Sequence, residues 1–212
     1  MTAALITIEG LDGAGKSTLA GGLARELGAR RTEVELLREP GGVEASERIR
    51  ELVQDPRLEV LPRAEALLYA AARAQLVEEL LRPLLERGVV VLLDRFVDSS
   101  LAYQGGARGL GVEQIAEINA FATGGLRPDL TLLLRVDPRV GRSRQQGRNQ
   151  DPDRLEREEE GFFERVAEAY EQIAAAAPER VRVIDAGRPP EEVLAEALEA
   201  VTELLADPRR AA

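Results

Sequence analysis

Gly10-Leu11-Asp12-Gly13-Ala14-Gly15-Lys16-Ser17-Thr18 constrains this chain more than any other segment. It reads G-x-x-x-x-G-K-S directly behind the apolar run at 5–8. Glycines at these places let the backbone curl until successive N–H groups point inward, which makes a cradle for a phosphate. A helix beginning at Lys16 aims its positive end at the same point. Lys16 can then reach the β- and γ-phosphates of ATP, and the Ser17 hydroxyl can bind Mg²⁺. The competing reading is a plain glycine-rich turn. The cradle needs a strand in front and a helix behind, so a chain that carries it begins as an α/β unit.

The lysine itself argues for the cradle. All but one of the 28 basic residues are arginine, and the exception is Lys16. Arginine is a wide planar fork and lysine a compact ammonium, so a lone survivor at this position marks a place arginine does not fill, or else a chance survival of compositional drift. The single lysine also excludes the Asn-Lys-x-Asp segment of guanine-selective GTPases. The chain has no cysteine and no histidine. Disulfides, thiolate metal sites, cysteine nucleophiles, Ser-His-Asp triads and histidine bases are therefore excluded. Chemistry is left to carboxylates, arginine, lysine, hydroxyls, backbone amides and a borrowed metal. A net charge of −10 disfavours general binding to nucleic acid or anionic membrane. There is no apolar run of spanning length and no basic n-region, so the cytoplasm is the expected compartment.

The remaining sequence alternates short apolar runs with helical patterns. Strands are expected at 5–8, 33–37, 89–93, 130–136 and 181–184. The run at 89–93, VVVLL, has the unbroken β-branched character of a strand buried on both faces. Helices are expected at 16–27, 45–53, 63–86 with a kink or break at Pro83, 112–122, 139–146, 158–177 and 190–205. This order implies one domain over 1–212, a five-stranded parallel sheet with helices on both faces. Ligands of such sheets sit at the carboxyl ends of the strands.

The residues that follow those ends carry the remaining chemistry. Asp94-Arg95 offers a Mg²⁺ ligand and a cation for a second anion, or else a strand cap and a surface ion pair. Arg38-Glu39-Pro40-Gly41-Gly42 sets another arginine behind a flexible turn. Tyr69 and Arg73 lie four apart on one helical face, with alanines between them. They suit a stacked, hydrogen-bonded base, or a helix-packing face. Residues 98–106, after the Asp94 strand, offer many neutral hydrogen-bonding groups for a ligand, or else are a generic loop. Residues 139–155 carry Arg139, Arg142, Arg144, Arg148 and Arg154 around Gly147 and Pro152. They suit a small lid that closes on ATP, or a solvated face.

Taken in order, the phosphate loop, Arg38-Glu39-Pro40-Gly41-Gly42, Ala71-Ala72-Arg73, Asp94-Arg95-Phe96, Ala102-Tyr103-Gln104-Gly105, Arg127-Pro128-Asp129-Leu130-Thr131 and Asp153-Arg154 resemble the bacterial type of thymidylate kinase over nearly the whole chain. The resemblance implies a P-loop kinase fold, a homodimer, and transfer of the ATP γ-phosphoryl group to dTMP on the way to dTTP. It implies that Asp12 meets the acceptor's 3′-hydroxyl, where many relatives have Glu, and that Arg38 and Arg95 hold its phosphate. Tyr69 stacks on thymine, Arg73, Ser100 and Gln104 read its polar edge, and Tyr103 crowds the 2′ position. Arg144 lies near adenine, and Ser17 and Asp94 serve Mg²⁺. One branch of the family carries a catalytic arginine inside the loop. This chain has Gly13 and Ala14 there, so the arginine is expected from the lid, with Arg148 preferred to Arg144 or Arg142. Lys16, Arg95, Arg148 and Asp12 form the expected catalytic set. The alternatives are a kinase for another nucleotide or for a nucleoside, and a noncatalytic nucleotide sensor.

Overall fold

The computed structural model describes residues 3–147 and 152–207. Five parallel strands, β1 Ala4–Gly10, β2 Val34–Arg38, β3 Val90–Asp94, β4 Leu130–Arg135 and β5 Val181–Asp185, form one sheet in the order β2-β3-β1-β4-β5. The expected fold class therefore stands. Every residue of β1 is buried, as a central strand covered on both faces requires, whereas edge strand β2 is half exposed. Register aligns Arg38 with Asp94 across β2 and β3, and Ile8 with Asp94 across β1 and β3. The phosphate loop, Asp94-Arg95 and Arg38-Glu39 thus leave the sheet side by side.

Helices α1 Lys16–Ala29, α8 Glu160–Ala176 and α9 Pro190–Ala206 pack with β1, β4 and β5 into the larger apolar cluster. Helix α2 is Glu44–Gln54, α3 is Pro62–Leu76 and α4 is Arg82–Glu86. Leu5, Val91 and Leu93 face a second cluster with Leu76, Val77, Leu81 and Leu84. Between α3 and α4 runs a π-helical turn, Val77–Leu81. Of the kink or break expected at Pro83, the break is therefore corrected. Proline lacks an N–H and clashes with the carbonyl four residues back. The wider turn just before it takes up that misfit, and the helix continues.

Residues 98–106 are helical, which removes the generic-loop alternative. Helix α5 Val97–Ser100 runs directly into a π-helical segment, Leu101–Ala107. A Cβ on Gly106 would come within 2.6 Å of the Ala169 Cβ, so the glycine lets α8 lie against this segment. Two further helices, α6 Val112–Thr123 and α7 Pro138–Gln146, complete the layers. Polar residues also knit the interior. Thr7 and Thr131, cross-strand partners, share a 2.7 Å hydrogen bond, and Asp98 accepts from Thr131 and from Arg180. Among the described residues, no helix is long and apolar enough to cross a membrane.

Candidate active site

The strand ends open onto a cleft of about 500 Å³. It is lined by Asp12, Gly13, Gly15, Lys16, Ser17, Arg38, Tyr69, Arg73, Asp94, Arg95, Ser100, Tyr103 and Gln104, so residues singled out in five separate stretches of sequence meet in one chamber.

The phosphate loop forms its floor. Gly13 has φ +77°, and a Cβ there would collide with the carbonyl of Gly141 on α7, so only glycine suits both the turn and the close approach. Lys16 is 7% exposed, and its Nζ donates to the carbonyls of Gly10 at 3.1 Å and Leu11 at 3.0 Å. Burial pulls its pKa below the ordinary lysine value, and the neighbouring Arg95 guanidinium adds to this, while Asp12 and Asp94 oppose it. Ser17 Oγ donates to Asp94 Oδ2 at 2.9 Å, which sets two hard oxygen atoms next to each other at the end of β3.

Arg95 holds the centre of the wall. Its φ of 71° is unusual for a bulky residue. Two bonds fix the turn: Arg95 N–H donates to the Ile8 carbonyl at 3.0 Å, and Phe96 N–H donates to Glu9 Oε1 at 2.7 Å. The guanidinium then bonds the Gly10 carbonyl, Ser99 and Asp12, and lies 5.2 Å from the centre of the Tyr103 ring. Glu9 is fully buried, and its other oxygen accepts from Ser99 and Tyr170. Burial, reinforced by Asp98, pushes its pKa up to about 7.

Glu65, Tyr69 and Arg73 form a stripe on α3, four residues apart. Arg73 is 2% exposed. It donates from Nε to Glu39 Oε2 at 2.8 Å, with Nη2 in ion-pair contact with the same oxygen at 2.7 Å, and it donates to Ser100, Asn119 and the Phe96 carbonyl. Four of its five N–H donors therefore have protein acceptors, and the guanidinium is held in place from three sides. Arg38 is more exposed and pairs with Glu47 at 3.1 Å.

Arg144 does not line this cleft. It sits on α7 and donates to the Ala186 carbonyl behind β5. Arg148 lies outside the described residues. Of the expected lid, α7 rests on the phosphate loop through Gly141. Arg154 is docked on α2 through the Val53 and Gln54 carbonyls and on α3 through Glu65. Sequence reasoning passed over Glu65, Arg50 and Glu156 and gave no role to Glu9, Glu39, Ser99 and Asp153, all of which line or brace the site. Glu9 left the clearest signal, an acid at the end of an otherwise buried strand.

Comparison with known proteins agrees with this geometry. A family model described as thymidylate kinase matches residues 8–197. A thymidylate kinase of Deinococcus radiodurans is 50% identical over 93% of this chain and 96% of its own length. One from Geobacillus thermodenitrificans is 46% identical over 99% of this chain and 94% of its own. The crystal structure of thymidylate kinase from Ehrlichia chaffeensis superposes with a TM-score of 0.76 at 28% identity, covering 95% of this chain and 99% of that one.

Proposed function

The chain belongs to the thymidylate kinase family, and from that membership we propose how its cleft transfers the γ-phosphoryl group of ATP to dTMP, giving dTDP and ADP. The observation that carries the reading is the meeting, in one chamber, of a phosphate loop with Arg38, Arg95 and an aromatic–arginine stripe. One end suits a triphosphate and the other a nucleoside monophosphate.

An oxygen of the dTMP phosphate attacks the γ-phosphorus while the bond to the β,γ-bridging oxygen breaks. A monophosphate is already an anion at neutral pH, so no strong base is needed, and the missing histidine has no cost. The barrier lies in bringing two anions together, so catalysis is alignment and charge neutralisation. Lys16 serves the β- and γ-phosphates, Arg95 and Arg38 the acceptor phosphate, and Arg148 the transferring group. Asp12 serves the sugar, Tyr103 crowds the 2′ position, and Tyr69 carries the base, whose edge faces Arg73, Ser100 and Gln104. Arg144 serves the adenine side. Ser17 and Asp94, oxygen donors in mutual contact, fit Mg²⁺, which tolerates few protein ligands when phosphates and water complete its shell. When bound, the ion neutralises phosphate charge.

Exposed Leu61 and Leu67 at α3 and a 91% exposed Phe121 on α6 support the homodimer. A cysteine-free chain with nucleotide substrates suits the cytoplasm. A coupled ADP-release assay across nucleoside monophosphates tests the function. dTMP is expected to give the highest kcat/KM, and faster turnover of AMP, GMP or CMP would refute it.

A further inference from the structure

Gln104 lies in the π-helical segment, 2% exposed, with its side chain at the cleft. A glutamine amide has two faces of opposite character, and a base cannot be read until one of them is chosen. Here the choice is made by Glu65. Its carboxylate is 0% exposed, in the first turn of α3, one helical turn before Tyr69. Gln104 Nε2 donates to Glu65 Oε1 at 2.8 Å. The same carboxylate receives Arg108 at 3.1 and 3.3 Å and Arg154 at 2.5 Å. Both of its oxygens accept from guanidiniums, so the amide turns its NH₂ toward it. The amide carbonyl Oε1, for which no described residue serves as donor, is then what remains for a ligand.

We infer that Glu65 is a specificity-determining positioning residue: by holding the Gln104 amide it presents a hydrogen-bond acceptor to the base on Tyr69, and so selects pyrimidines with a protonated ring N3. The inference rests on the proposed acceptor site. Thymine carries a hydrogen at N3 and donates there. Cytosine carries a lone pair at N3, which would meet the carbonyl oxygen with no hydrogen between them. A site with a fixed acceptor rejects such an analogue because two buried acceptors are left unpaired. Uracil shares the thymine edge, so the device does not separate dUMP from dTMP.

Glu65→Gln keeps the volume but lets residue 65 donate, which frees the Gln104 amide to turn over. The ratio of kcat/KM for dTMP to that for dCMP is expected to fall at least about tenfold, equivalent to about 1.4 kcal/mol. The same substitution in a Gln104→Met background is expected to leave the ratio unchanged, since no amide remains to be oriented. A parallel loss for both substrates at constant ratio would make Glu65 a merely structural brace and overturn the inference. Wild-type enzyme offers a check that does not depend on the variant folding. dTMP methylated at N3 is expected to bind at least about tenfold more weakly than dTMP, by the same reckoning, and equal binding would overturn the inference. Failure of wild type to phosphorylate dTMP would instead refute the functional reading itself.

Discussion

The Lys16 ammonium is enclosed by two loop carbonyls and the Asp12 carboxylate 3.7 Å away, a space that fits a point charge. Lys16→Arg keeps the charge but forces a planar fork among those oxygens. Its kcat/KM is expected to fall by at least about tenfold; near-normal turnover would show that the lysine has no special place. Glu9 gives a second expectation, one of pH. Its folded pKa, about 7, stands above the ordinary 4.5, so the folded state holds a proton that the unfolded chain has released. The contribution to stability is fully present below about 4.5 and is lost as pH rises through about 7. Denaturant unfolding at a series of pH values should therefore show wild type losing stability relative to Glu9→Gln across that window. A constant difference would mean that Glu9 does not titrate there.

Among the elements, the strands were legible because apolar β-branched runs of fitting length admit few other readings, and each observed strand lies within about two residues of its expected bounds, within the usual error of such readings. The helix after β3 was not legible. Serines, glycines and an aspartate weaken helix propensity, and only contacts with distant residues, such as Gly106 with Ala169, show why they are there. Buried acids were hidden for a related reason. Glu65 sits in a helical pattern where an acid ordinarily means solvent, and its partners Gln104, Arg108 and Arg154 come from remote segments. The contact of α7 with the phosphate loop can be tested directly. A Cβ on Gly141 would lie 2.8 Å from the Asp12 carbonyl, a backbone atom with little room to yield. Gly141→Ala is expected to cost about 1–3 kcal/mol of stability and to raise the KM for ATP; unchanged thermal unfolding and ATP binding would mean that α7 is free to move away. Beyond α7, Arg148→Ala is expected to lower kcat at least about tenfold while the KM for dTMP holds, because an arginine on the transferring group acts after the acceptor is bound. If dTMP binding fails and kcat persists, the residue serves the acceptor instead.

At the scale of the whole molecule, the exposed apolar side chains are few and those on α3 and α6 are large. These helices pack against one another, and α3 also carries the stripe of Glu65, Tyr69 and Arg73 on its inner side. Association through their outer sides would therefore stiffen the wall on which the base is read. If the proposed homodimer forms there, Phe121→Arg shifts it toward monomer in light scattering and lowers thermal stability in a concentration-dependent manner. A dimer that persists unchanged at the same concentration would place the interface elsewhere.

The single lysine has a practical corollary. Apart from the chain's α-amino group, Lys16 Nζ is the only primary amine in the protein. Burial lowers its pKa below the ordinary lysine value and restricts approach to the cleft side. An amine-acylating reagent small enough to enter the cleft therefore has one side-chain target. A phosphate seated in the loop covers that target, so the fraction acylated at Lys16, read by mass spectrometry, becomes a direct count of unoccupied molecules. Nucleotide occupancy can then be followed without a radioactive or fluorescent ligand and without turnover.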